Sequence, residues 1–236
     1  MTRQVWMFPL VLGLAAAVAK ADRPLSVSPD GRFAIRFVAD AKNGSYFRVF
    51  NRKTKRRIAR IADESGGAFS ALSKFVWAPD SNRVALNFQS GIRYATTNVY
   101  QFQKGTFTEL KDLEEGIGDS VIETEKIRLR KEGGFPPESS ERRVFDRWFV
   151  ERWTDPSTAI LLVQSIRAVG IPEKGREMTD LTVWVRHTVK FDDEGVWKVA
   201  KSEVLSNKEA AALAAREGTV RSPRRLVENE LDISQP

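Results

Sequence analysis

The chain has no cysteine and one histidine in 236 residues. Without cysteine there are no disulfides, zinc–thiolate sites, iron–sulfur clusters or thiol nucleophiles. With one histidine a His-rich metal site is excluded, and any Ser-His-Asp triad would have to use His187. Walker A, HExxH, GxSxG and EF-hand patterns are missing. Gly116-Ile117-Gly118 lacks the third glycine of a dinucleotide loop. After residue 21 no apolar run approaches the ~20 residues that span a bilayer. These absences lead us to expect neither cofactor nor metal. What the chain does have is 42% apolar residues, enough for a packed core, and a formal charge of +7.

The N-terminus reads as an export address. Arg3 precedes an almost wholly apolar stretch from Val5 to Ala19. Ala19-Lys20-Ala21 then places small residues where a signal peptidase reads, with cleavage before Asp22. The stretch is short for a membrane anchor and contains Pro9. Residues 1–21 are therefore expected to be a signal peptide. The mature chain is expected to be soluble, in the periplasm or outside the cell. Losing Arg3 and Lys20 lowers the charge from +7 to +5.

The body carries a repeat. Ser26-Val27-Ser28-Pro29-Asp30-Gly31-Arg32-Phe33 is echoed by Val76-Trp77-Ala78-Pro79-Asp80-Ser81-Asn82-Arg83, with the prolines fifty residues apart. In each, a short apolar strand leads through Pro-Asp into a second strand. Proline presets φ at the first corner of the turn, and aspartate bonds the amides beyond it. Gly31 admits a left-handed backbone; the second copy has Ser81-Asn82 in place of that single glycine. Third and fourth strands follow at 46–50 and 57–61, and at 97–102 and 106–110. Four short antiparallel strands per repeat is the pattern of a propeller blade. A decayed third copy reads from Trp153-Thr154-Asp155-Pro156 through strands at 159–163, 181–189 and 196–200.

Ser28-Pro29-Asp30-Gly31-Arg32 and Ala78-Pro79-Asp80-Ser81-Asn82-Arg83, set between apolar strands, resemble the WD40-like repeats of TolB-type β-propeller proteins. The resemblance covers residues 25–110 and extends over 150–204. It implies that Pro29, Asp30, Gly31, Pro79 and Asp80 are structural turn residues. It also implies a scaffold with a binding surface and no catalytic residues. The expected fold is mainly β, built of antiparallel four-stranded blades as in a partial or oligomer-completed propeller, with a short helical insert and a C-terminal helix. Closed rings need about four to eight blades, and three fill this chain. A second chain could complete the ring, other segments could cap the stack, or the repeat could build another β-architecture; capping is favoured.

Residues 22–205 are read as the β domain, interrupted by an insert at about 111–150. Ser120-x-x-Glu123 has capping-box spacing for a helix over 121–132, closed by Gly133-Gly134, although Ile127-Arg128-Leu129-Arg130 alternates like a strand. Val144, Phe145, Trp148 and Phe149 fall at helical spacing and read as a capping helix. Ser206-x-x-Glu209 opens the C-terminal helix of 206–236, and residues 219–236 form a polar tail.

The densest charge is Arg52-Lys53-Thr54-Lys55-Arg56-Arg57, between two strands of the first repeat. Arg52, Lys53, Lys55, Arg56 and Arg57 are the candidate binding residues for an anionic partner. The same run also suits a solvated hairpin that guards a sheet edge. No aromatics interleave with it and the chain reads as exported, so nucleic acid is not the expected partner. His187 reads as a strand residue, and Asp192-Asp193-Glu194 as a hairpin end lacking the alternate ligands of a calcium loop. The resulting expectation is an exported, non-catalytic scaffold that binds a protein or an anionic envelope polymer. The alternative is an exported hydrolase, with glycans as one candidate substrate class, using dispersed carboxylates.

Overall fold

The computed structural model describes residues 24–40, 44–63, 73–117, 120–137, 139–170 and 178–216. Residues 1–21, read above as a signal peptide, and the residues beyond Arg216 lie outside them.

The chain is mainly β, built from three four-stranded antiparallel units. The first is sheet A, a meander of β1 (Ser26–Val27), β2 (Phe33–Asp40), β3 (Gly44–Asn51) and β4 (Arg57–Asp63). The second comprises β5 (Lys74–Trp77), β6 (Arg83–Gly91), β7 (Tyr94–Gln103) and β8 (Thr106–Glu109). Strand periodicity sends Phe33, Ile35, Phe47, Val49 and Ile61 to one side of sheet A. There they pack against Val84, Leu86, Tyr100 and Phe107 of the second unit. Aromatic rings fill this interface: Phe33 lies 5.0 Å from Phe102 and 5.1 Å from Phe107, and Phe47 lies 4.9 Å from Phe75. Fully burying each such side chain contributes about 1.5–3 kcal/mol.

The third unit contains β9 (Ser140–Asp155), β10 (Thr158–Gly170), β11 (Thr179–Phe191) and β12 (Trp197–Val204). It packs on the other face of the second unit, where Ala78, Ala85 and Val99 meet Trp148, Val150, Leu161 and Val185. Asn87 bonds the Val150 backbone in both directions, at 2.9 and 3.0 Å. The second and third units are not separate blades, as the repeat alone suggests. Tyr94 and Ala95 of β7 pair in parallel with Asp146 and Arg147 of β9, making one eight-stranded sheet B. The sixteen-residue β9 is long enough to lie on the second unit with one half and reach β7 with the other.

That strand also corrects the helix expected over 144–149. Trp148 and Val150 face one core cluster and Phe149 another, so both faces of the strand are apolar. A run buried on both sides loses the period of two and mimics a helical stripe.

The described residues also form three helices. They are α1 (Leu113–Ile117), α2 (Ser120–Glu132) and α3 (Asn207–Arg216). The helix expected from Ser120 is α2; Glu123 in its first turn pairs with Lys126, and Gly134, with φ 68°, follows its last turn. Ile122 of α2 covers part of the inner face of the third unit, with Leu129 packed against the same cluster. At α3 the Ser206 hydroxyl donates to Glu209 at 2.7 Å, and the Glu209 amide donates back at 3.4 Å. Leu205, Ala210 and Leu213 then cover Phe149, Leu162 and Trp184 on the outer face of the third unit.

Candidate anion-binding surface

The repeat turns, the basic loop and the acidic turn all lie at one end of the sheets, because each joins strands that enter and leave at that end. In the first turn the Ser28 hydroxyl and the Arg32 amide donate to Asp30 at 2.8 and 2.9 Å, and the Arg32 side chain pairs with it. Burial alone would raise the Asp30 pKa. The Arg32 amide, then the Ser28, Arg32 and Ser81 side chains, outweigh it and hold the carboxyl at about 2. In the second turn the Asn82 amide donates to Asp80 at 3.1 Å. The two turns are therefore residue-for-residue equivalents. Ser81 stands at the position of Gly31, with φ 64° against 74°, and nothing is inserted. The apparent extra residue arose from matching Arg83 to Arg32, whereas Arg83 occupies the place of Phe33: Ser28 and Ala78 bond their carbonyls in the same way. Ser81 adopts the left-handed backbone because its buried hydroxyl accepts the Asp30 amide at 3.1 Å, locking one turn to the next.

Arg32 reaches further, donating to the Asp80 carbonyl at 3.1 Å and to Asn82 at 3.0 Å. Arg83 is buried and ties the second unit to the third. It donates to Gln101 at 3.0 Å, to the Pro156 carbonyl at 2.8 Å and to the Asp192 carbonyl. Burial pulls its pKa down, with Asp80, Asp193 and Asp192 opposing. The acidic turn is shaped by its own side chain: Asp192 accepts the Val196 amide at 2.8 Å. Among the described residues no group of three His, Asp or Glu is arranged to hold a metal ion.

The basic loop is the β3–β4 turn. Thr54 donates its amide to Asn51 at 2.9 Å, and Lys55 takes φ 59°. Arg52, Lys53, Lys55, Arg56 and Arg57 are all exposed. Arg52 also reaches the Gly31 carbonyl at 3.3 Å.

Sequence reading missed the outer face of sheet A. Arg36, Arg48 and Arg60 stand directly opposite one another on β2, β3 and β4. Tyr46 and Phe50 share that face. Arg60 lies 4.1 Å from the Tyr46 ring, Arg48 lies 5.1 Å from Tyr46 and 5.9 Å from Phe50, and Arg36 lies 5.4 Å from Phe50. The order is cation, ring, cation, ring, cation. The rings hold the guanidinium planes and reduce what ordering them on a ligand would cost. Arg57 pairs in register with Phe50 across β3–β4, so the basic loop begins beside the stack. The signal was present in Ile35-Arg36-Phe37, Phe47-Arg48-Val49 and Ala59-Arg60-Ile61: one arginine between apolar residues in each strand, at intervals of twelve.

The remaining candidates have other roles. His187 is 2% exposed; its Nδ1 lies 2.8 Å from the Ser202 hydroxyl, and burial lowers its pKa to about 4. A cavity of about 510 Å³ lies between α2, β11 and α3, beside Glu125, Arg128, Trp184 and Glu209. Glu125 is paired with Arg128. The Ser206 hydroxyl, followed by its amide, holds Glu209 below its ordinary range.

Neither a family model nor a curated protein matches the chain. Among solved structures, the crystal structure of TolB from Acinetobacter baumannii is similar at 12% identity and a TM-score of 0.31, over 77% of this chain and 42% of that one. The chain thus spans less than half of that protein's length. No described helix is long and apolar enough to cross a membrane.

Proposed function

We propose that the protein is an exported, non-catalytic binding protein whose β-scaffold engages an anionic polymer of the cell envelope. The observation that carries this reading is the cationic surface: five exposed basic side chains in the β3–β4 loop, beside the three ring-ordered arginines of sheet A. Guanidinium forks bind carboxylate and phosphate bidentately, and a row of them suits a repeating anion. The rings are already stacked with arginine, so they are not open platforms for nucleic-acid bases. Export is supported by the layout of residues 1–21.

The test is binding to a soluble anionic polysaccharide. Affinity is expected to fall steeply with added salt. Replacing Arg52, Lys53, Lys55, Arg56 and Arg57 with serine is expected to weaken it by about tenfold or more, roughly 1.4 kcal/mol. Unchanged affinity in that variant would remove the loop from the site.

A further inference from the structure

Strand β11 is covered unequally on its two sides. Toward β10 it pairs from Thr179 to Lys190. Toward β12 it pairs only from Val185 to Phe191, and at that end the Leu205 amide donates to the Trp184 carbonyl at 2.9 Å. The chain then leaves for α3. Among the described residues no strand lies beside Thr179 to Val183 on the β12 side. We propose that this edge takes a short extended segment of a partner protein, rich in basic side chains, as an added strand in line with β12. The site belongs to the third unit and is separate from the cationic surface of sheet A.

Three observations support it. The first is the backbone. In an antiparallel ladder the amide and carbonyl of one residue point to the same side, and that side alternates along the strand. β11 and β10 stay in register from Thr179 to Trp184 without a bulge. The Trp184 carbonyl points to the β12 side, so the amides and carbonyls of Thr182 and Asp180 point there too. Both residues are exposed. Main-chain bonds to such an edge are what hold an added strand.

The second is space. The cavity of about 510 Å³ lies along this edge, against Thr182, Val183 and Trp184. One wall is α2, through Leu129; the other is the β12–α3 junction, through Val204 and Ala210. α2 packs on the inner face of the third unit and α3 on the outer, so the two helices flank the edge. The volume falls within the range of ligand sites, roughly 300–1,000 Å³.

The third is charge. Arg128 serves two carboxylates, Glu125 and Glu132. Arg186 lies 3.6 Å from Glu209. Asp180 adds an exposed carboxylate on the edge itself. With both members of each pair counted, these carboxylates outnumber the guanidiniums. Lys208 follows on α3 but does not line the cavity. The paired groups act through their summed field, which favours lysine or arginine on the incoming strand, and the direct bonds come from the backbone.

The probe is a short fluorescent peptide of alternating lysine and valine, added to the full chain and followed by anisotropy. It is expected to bind, and its glutamate–valine counterpart is not. Thr182→Pro removes an amide on the open side and none on the β10 side. It is expected to weaken peptide binding about tenfold or more, whereas Thr182→Val keeps the amide and should bind as the wild type does. Asp180→Lys, which leaves the backbone intact, should weaken the lysine peptide and improve the glutamate one. Circular dichroism melts check that each variant is folded. Failure of the lysine peptide to bind at millimolar concentration overturns the inference. So does equal binding of the two peptides, or undiminished binding in folded Thr182→Pro. A wild-type chain that dimerises through this edge, and becomes monomeric with Thr182→Pro, also overturns it by giving the edge to a second copy. None of these results bears on polysaccharide binding, so the proposed function stands or falls separately.

Discussion

Sheet A and the β9–β12 unit each have one face on which no described sheet packs. On β9–β12 that face carries Phe149, Leu162 and Trp184, and α3 lies across it with Leu205 and Leu213. On sheet A it carries Tyr46 and Phe50, and the guanidiniums of Arg36, Arg48 and Arg60 lie against the rings. Both ends of the stack cover apolar surface. The apolar cover excludes water and gives only stability. The cationic cover also leaves charge at the surface, where a ligand can use it. On the proposed function, the difference gives stability to the third unit and recognition to the first.

The sharpest way to break this contrast is to remove one ring from each cover. Trp184 is 5% exposed and packs edge-on to Phe149 at 6.4 Å. Trp184→Ala is expected to cost about 3–5 kcal/mol in denaturant unfolding, because the site under α3 cannot collapse fully. Phe50, half-buried, is expected to cost about 1 kcal/mol when changed to alanine, with a larger loss in polyanion binding. Equal costs would dissolve the distinction.

The joint between the units comes next. Arg83→Leu leaves Gln101 and the carbonyls of Pro156 and Asp192 without their donor. The expected loss is about 3 kcal/mol, since buried groups stripped of a charged partner keep their desolvation cost. Thermal unfolding checks it. The equivalent residue in the first unit, Phe33, packs against Phe102 and Phe107 and carries the Arg32 guanidinium 4.9 Å from its ring.

Acid should separate the units further. His187 belongs to β11 and is buried, with its pKa near 4. In the unfolded chain it titrates near 6.5. A pKa depressed on folding means that the unfolded chain binds the extra proton, so stability is fully present above pH 6.5 and falls as pH drops toward 4. Between pH 7.5 and pH 5 the loss is about 2 kcal/mol. His187→Asn should remove that slope, and urea midpoints across this range would show it.

Much of the fold was legible in local sequence. The Pro-Asp turns, the strand periodicity and the Ser206–Glu209 capping box depend on neighbours within a few residues, and they report themselves in sequence. The merged sheet did not: the β7–β9 pairing rests on two residue pairs some fifty positions apart, and no short-range pattern encodes it. Nor did the direction of Phe149, since an apolar run buried on both faces has no period to read. The candidate site was half legible. The loop from Arg52 to Arg57 is dense in charge. Arg36, Arg48 and Arg60 are each alone among apolar neighbours, and only strand register brings them side by side. Attention to charge runs finds the loop and passes over the stack.

The smallest expected effect tests the turn that holds the first unit in place. Asp30 accepts from Ser28, from the Arg32 amide and from the Arg32 side chain. Asp30→Ala removes all three at the protein surface, where solvent replaces part of each, so the expected loss is about 1 kcal/mol. The carboxyl also sets a second acid transition. Its folded pKa of about 2 lies below the unfolded value near 3.9, so its contribution is complete above pH 4 and disappears as pH falls toward 2. The wild type should therefore weaken twice on acidification, first through His187 and then through Asp30. Asp30→Ala should lose only the second step. If both steps survive that change, the turn does not depend on its carboxylate, and the first unit is held by the aromatic interface alone.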